Sequence, residues 1–144
     1  MNADQEYKKT KEQTDELVKG LCEFYSKKQN RDITSVEMPL YAPVDYLIFR
    51  DGQPFFYLEV KVRSHSFRYY KNEKVPVSKY CFAYTYKNKF KMPSALLVKW
   101  SDKVGLVDMN KCSGIDVMVA RYDRGEQKDI YAFYEYDDFK LLNI

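Results

Sequence analysis

The sequence predicts a mixed α/β (α+β) domain with a central sheet covered over most of its surface. Three observations carry that reading. An N-terminal stretch repeats apolar residues at helical spacing, two β-branched and aromatic runs flank an Asp-Gly turn, and a second candidate helix precedes further strand-like runs. With 144 residues, 45% of them hydrophobic and 17% aromatic, the chain has the length and apolar content for one core and therefore one domain, 1–144.

From about Gln5 to Lys28 only Gly20 interrupts good helix formers, and Leu17, Val18, Leu21, Phe24 and Tyr25 recur on one face. The charges before Leu17 leave the first turns in water. "SKKQNRD" then brings basic residues to the C-terminal end, where the helix dipole favours them. A short strand follows over about Ile33 to Leu40. "VDYLIF" and "PFFYLEVKV", joined through "RDGQP", read as a hairpin, and the basic, aromatic "RSHSFRYYKNEKVP" reads as a loop. Ser78 is placed to cap a helix that runs to about Phe90 and is closed by Met92-Pro93. The alternation of Tyr80, Phe82, Tyr84 and Tyr86 fits a strand as well. "SALLVKW" and "VGLVDM" form a second strand pair around "SDK", while "GIDVMVARY" and "IYAFYEY" flank the turn-prone "DRGEQKD".

Composition removes several function classes. No run approaches the roughly 18 apolar residues of a membrane span, and the charged N-terminus lacks a signal-peptide core, so the expected location is the cytoplasm, away from membranes. Cys22, Cys81 and Cys112 are odd in number and widely spaced, which fits reduced thiols better than a disulfide framework or a zinc site. The five glycines are scattered singly, which argues against a phosphate-binding loop. His65 is the only histidine, which argues against a His-based metal cluster and a Ser/His triad. With 24 Lys and Arg against 21 Asp and Glu, a net charge of +3 permits contact with a polyanion without demanding it.

The hairpin carries the chemistry. Side chains alternate along a strand, so Phe55, Tyr57, Glu59, Lys61 and Arg63 share one face, and Phe56, Leu58, Val60 and Val62 share the other. A loop centred on Gly52 sets Asp45 opposite Glu59, roughly 5 Å apart, with Lys61 the next side chain along. A two-residue loop at Asp51-Gly52 turns one carboxylate away instead. Two carboxylates at that spacing repel by about 3 kcal/mol at an effective dielectric near 20. A divalent cation offsets the repulsion: Mg²⁺ takes hard oxygen ligands, often one or two carboxylates, with water and substrate phosphate completing the shell. An adjacent lysine can orient a bound water or neutralise developing charge, as phosphodiester hydrolysis requires. The competing reading of the same three residues is a surface ion cluster in which Lys61 bridges both acids.

"PVDYLIF", "YLEVKVRS", "VSKYCFAYTY…KMPSALLVKW" and "ARYDRGEQKDIYAFYEY" together resemble the PD-(D/E)xK nuclease superfamily, in particular small stand-alone nucleases common in phage genomes. The resemblance implies a restriction-endonuclease-like αβββαβ core with a central mixed sheet and extra C-terminal strands. It also implies metal-dependent cleavage of DNA, with Mg²⁺ as cofactor and Mn²⁺ able to substitute. By the motif, Asp45 and Glu59 are metal ligands, the Val60 carbonyl is a further ligand and Lys61 is the catalytic lysine. Val44 separates Pro43 from Asp45, so the literal Pro-Asp pair is absent. Many members add a carboxylate from the first helix; Glu16, beside the Leu17/Leu21/Phe24 stripe, is the choice here, with Glu12, Gln13 and Glu23 as alternatives. Lys79 matches a basic residue that similar proteins turn toward the active site.

Arg63, Arg68 and Lys71 are candidates for phosphate contact, and Phe67, Tyr69 and Tyr70 for stacking on unpaired bases or for packing on the domain. DNA is the expected partner, and a homodimer suits a reaction that nicks two strands. A non-catalytic nucleic-acid-binding or adaptor domain with the same fold is the alternative function; the intact Asp, Glu and Lys set speaks against it.

Overall fold

The computed structural model describes residues 2–122 and 125–144. It opens on α1 (Ala3–Gln29), whose first turn is closed by a capping box: the Asn2 side chain accepts from the Gln5 N–H and the Gln5 side chain accepts from the Asn2 N–H. The helix buries Leu17, Val18, Leu21 and Cys22, leaves its first turns in water as expected, and ends with Asn30 in the left-handed conformation. Then come β1 (Ile33–Glu37), β2 (Tyr46–Arg50), β3 (Gln53–Val62), β4 (Glu73–Pro76), α2 (Val77–Phe90), β5 (Ser94–Lys99), β6 (Val104–Asp108), β7 (Gly114–Tyr122), β8 (Gly125–Tyr134) and β9 (Lys140–Leu141).

The central sheet has six strands in the order β1-β2-β3-β5-β6-β9. All its neighbours are antiparallel except β3 and β5, which run parallel from Tyr57↔Ser94 to Val62↔Lys99, with α2 in the crossover between them. This is the mixed α+β architecture that the αβββαβ reading anticipates. A second, three-stranded sheet, β4-β8-β7, lies beyond it. Its outer hairpin was expected from the sequence, but β8 begins at Gly125 rather than near Ile130, and Asp123 and Arg124 of the expected turn lie outside the described residues.

Two clusters cover the two faces of the central sheet. Leu17, Val18 and Leu21 of α1 pack with Ile48, Leu58, Val60 and Leu97 on one side. Leu96, Val98 and Trp100 pack with Val75, Ala83, Ala132 and Tyr134 on the other, so the second sheet and α2 share that face. Alternation along β5 splits that strand between the clusters, which is why it reads as a nearly continuous apolar run, whereas β3 gives Leu58 and Val60 to the α1 side and turns Glu59 and Lys61 to the other.

Two local expectations change. Ser78 lies inside the first turn of α2, and Pro76 holds the cap position without a side-chain hydrogen bond. A proline fits there because its fixed φ suits the approach to a helix and its missing N–H is not needed. The segment expected to be wholly loop contains β4, an element that becomes a strand only through its pairing with β8, Glu73↔Tyr134 to Pro76↔Tyr131. The Tyr80–Tyr86 stretch is helical: Phe82 and Tyr86, four apart, both meet Tyr57 edge-on at 5.4 and 5.5 Å, while Tyr84 is exposed.

Candidate active site

The β2–β3 hairpin turns through two residues, Asp51 and Gly52, both with positive φ (49° and 78°). That is the loop expected to turn one carboxylate away. It does not, because the register shifts between Ile48 and Phe49: Ile48 pairs with Phe56 and Phe49 with Pro54, leaving Phe55 as an extra residue on β3. The bulge restores the offset that a loop centred on Gly52 gives. Leu47 faces Tyr57 and Tyr46 faces Leu58; just before the strand the Asp45 N–H donates to the Leu58 carbonyl at 3.2 Å, and Asp45 comes near enough to Glu59 for the two carboxylates to repel.

β2 begins at Tyr46, and Asp45 replaces the next ladder bond with its side chain: Oδ2 accepts from the Val60 N–H at 2.8 Å. The N–H and C=O of one strand residue leave on the same edge. The Val60 carbonyl is therefore directed toward Asp45.

Glu59 is the unusual member. It is only 2% exposed, yet among the described residues Oε2 has no hydrogen-bond donor, while Oε1 faces the ammonium of Lys79 at 3.3 Å and that of Lys61 at 3.6 Å. Burial, followed by repulsion from Asp45, pushes its carboxyl above the usual glutamate range, and the two lysines only partly pull it back. A buried carboxylate oxygen without a donor is costly unless a cation or proton reaches it. The donor set, two acidic side chains and a carbonyl, is the hard-oxygen set that Mg²⁺ or Mn²⁺ takes. The residues present thus fit a divalent ion.

Lys61 reaches Glu59 while remaining 29% exposed, so its ammonium also meets the solvent side of the site. Lys79 donates to the Pro43 carbonyl at 2.9 Å while facing Glu59. It thereby ties α2 both to the loop that delivers Asp45 and to the strand that delivers Glu59. A stretch of α1 also borders Asp45: Tyr7, Thr10, Lys11 and Thr14 line a cleft of about 210 Å³ with Asp45 and Val60. Glu16, the expected helix-one ligand, is exposed and does not line it; neither do Glu12, Gln13 and Glu23. The helix turns Glu16 roughly 200° away from Thr14, at 100° per residue. The structure therefore does not bring Glu16 to the carboxylate pair.

The phosphate candidates fare unequally. Arg63 is engaged: Nε donates to Glu73 at 3.0 Å, and a terminal guanidinium nitrogen forms an ion pair with the same oxygen at 2.9 Å and donates to the Lys74 carbonyl at 2.9 Å. Glu73, itself buried, accepts from the Trp100 indole at 2.9 Å through its other oxygen. The Arg63 guanidinium therefore pins β3 to β4. Arg68 pairs with Asp137 and lies over the Phe67 ring, whereas Lys71 is exposed. Phe67 packs on Trp100 and Tyr136, but Tyr69 and Tyr70 are 68% and 58% exposed.

Sequence reasoning missed Glu73, a lone acid within a basic stretch, although its alternation with Val75 into the core was an available strand signal. It also missed Asp15, which accepts from the Tyr46 hydroxyl and anchors α1 over the start of β2.

No curated protein matches the chain by sequence. Among solved structures, the Holliday junction resolvase Hjc from Archaeoglobus fulgidus is similar, with a TM-score of 0.45 and 16% identity over 85% of each chain. A family profile described as "Phage putative PDDEXK endonuclease" matches residues 5–141, and the chain belongs to this family of PD-(D/E)xK nucleases.

Proposed function

We propose that the chain is a metal-dependent deoxyribonuclease that hydrolyses DNA phosphodiester bonds, with Mg²⁺ as the resident ion and Mn²⁺ able to replace it. The observation that carries this reading is the buried Glu59: one oxygen without a donor among the described residues, repelled by Asp45 and beside two lysines. When bound, the ion supplies Lewis-acid polarisation of a phosphoryl oxygen and lowers the pKa of a water.

This chain's residues do the rest. Asp45, Glu59 and the Val60 carbonyl would hold the ion. Asp45 is fixed by the Val60 N–H, which leaves Oδ1 for that task. Lys61 orients the attacking water from the exposed side and offsets charge developing on the phosphate. Lys79 pulls the Glu59 carboxyl part of the way back toward its charged form and holds the Asp45 loop in place. The natural setting of such a reaction is DNA processing, recombination or host DNA degradation by a phage-encoded enzyme in the host cytoplasm, and a homodimer would allow paired nicks.

The test is cleavage of supercoiled plasmid and of a branched duplex by wild type, Asp45→Ala and Lys61→Ala, with Mg²⁺, Mn²⁺ or EDTA. Metal-dependent cutting by wild type alone is expected. Cutting retained by either variant, or cutting in EDTA, would refute these roles.

A further inference from the structure

Beyond Lys61, β3 runs into a second concavity of about 520 Å³, the size that holds one small organic group and too small for a stacked duplex. Three elements supply its lining. The end of β3 and the loop after it bring Lys61, His65 and Tyr70, β4 brings Lys74, and the β7–β8 hairpin brings Met118 and Tyr131.

Each of the three cations in this lining already faces an acceptor. Lys61 faces Glu59, the Lys74 ammonium donates to the Asn72 side-chain oxygen at 2.5 Å, and the third, Arg63, is held by Glu73. That balance disfavours a phosphate as occupant. Beside Asn72, Glu73 and Pro76, the rest of the lining is ring and thioether surface from His65, Tyr70, Tyr131 and Met118. Tyr70 is braced edge-on against His65 at 4.7 Å and against Tyr69 at 4.9 Å, yet it stays 58% exposed. Exposed, braced aromatic surface beside a catalytic lysine is what a nucleobase stacks on when it has left the helix.

We propose that this concavity receives an unstacked base of the DNA adjoining the scissile phosphate, so that the protein prefers strands with unpaired nucleotides over continuous duplex. The proposal rests on the nuclease reading for its substrate, and its test is independent of cleavage.

The experiment is fluorescence anisotropy in EDTA with a labelled single-stranded oligodeoxynucleotide and the blunt duplex of the same sequence. Wild type is compared with Tyr70→Ala, Tyr70→Phe and Met118→Glu. Stacking predicts a preference of roughly tenfold for the single strand, most of it lost in Tyr70→Ala and kept in Tyr70→Phe, where the ring survives. Met118→Glu places a carboxylate in the concavity and lowers the same ratio. Tyr70 and Met118 are exposed, at 58% and 47%, so both substitutions leave the core untouched, which a thermal melt verifies. Equal affinity of wild type for the two forms, or a ratio unmoved by both Tyr70→Ala and Met118→Glu, overturns the proposal. Plasmid cleavage with Mg²⁺ reports separately on the nuclease reading.

Discussion

Arg63 follows Lys61 by two residues, just past the end of β3, so its assignment to the fold rather than to phosphate binding has measurable consequences. Its guanidinium meets Glu73, whose side chain is 4% exposed and which also holds the indole of Trp100, the only tryptophan. Removing one partner of a buried charged pair costs about 3–5 kcal/mol. Arg63 is 29% exposed and partly screened by water, so the lower end applies: about 3 kcal/mol for either Arg63→Ala or Glu73→Ala. In a domain of this size that lowers Tm by roughly 10 °C. The double variant should cost less than the sum, with a coupling of about 2 kcal/mol, since each single change strands the other group. Urea unfolding followed by Trp100 fluorescence measures all four proteins. Additivity within about 0.5 kcal/mol would refute the pairing. A stable Arg63→Ala protein with weakened DNA binding and a salt slope reduced by about one would return Arg63 to the phosphate.

Three other outcomes follow from the site. Because the folded-state pKa of Glu59 is raised, its contribution to the metal-free protein is fully present below the ordinary glutamate value of 4.5 and is lost as pH rises through the folded value; Glu59→Gln should flatten that slope in a Tm-against-pH series without metal. Lys79→Met removes both the Pro43 tie and one of two cations beside Glu59, so the Mg²⁺ concentration for half-maximal cleavage should rise roughly tenfold, while an unchanged metal requirement would leave Lys79 without this role. Deleting Phe55 removes the bulged residue and leaves Ile48 opposite Phe56 and Tyr46 opposite Leu58 across a regular two-residue hairpin, so metal-dependent cleavage should be retained; a folded variant without activity would show that the bulge itself, beyond the register it restores, sets the carboxylate pair.

Much of this was legible in the residues because it depends on local periodicity. The α1 stripe, the β2–β3 runs and the β5–β6 pair each carry their own pattern, and the Asp45, Glu59 and Lys61 spacing follows from strand alternation. What escaped depends on contacts distant in sequence. β4 is a strand because β8 lies beside it, and Arg63 looked free because its partner Glu73 sits ten residues on in what read as loop. The bulge at Phe55 is subtler: a two-residue Asp-Gly turn and a bulge cancel, so the expected juxtaposition arises through a different hairpin from the one expected. Helix-one residues beside Asp45 could not be chosen from periodicity alone, since the stripe facing the core, Leu17 to Cys22, says nothing about which earlier residues pass the end of β2.

The central claim is that Asp45 and Glu59 together hold a divalent ion, and calorimetric titration of Mn²⁺ into wild type, Asp45→Asn and Glu59→Gln tests it most directly. The account predicts one ion bound per chain in wild type and none in either variant. Undiminished binding in both variants, or plasmid cleavage by a wild type that binds no ion, would contradict it.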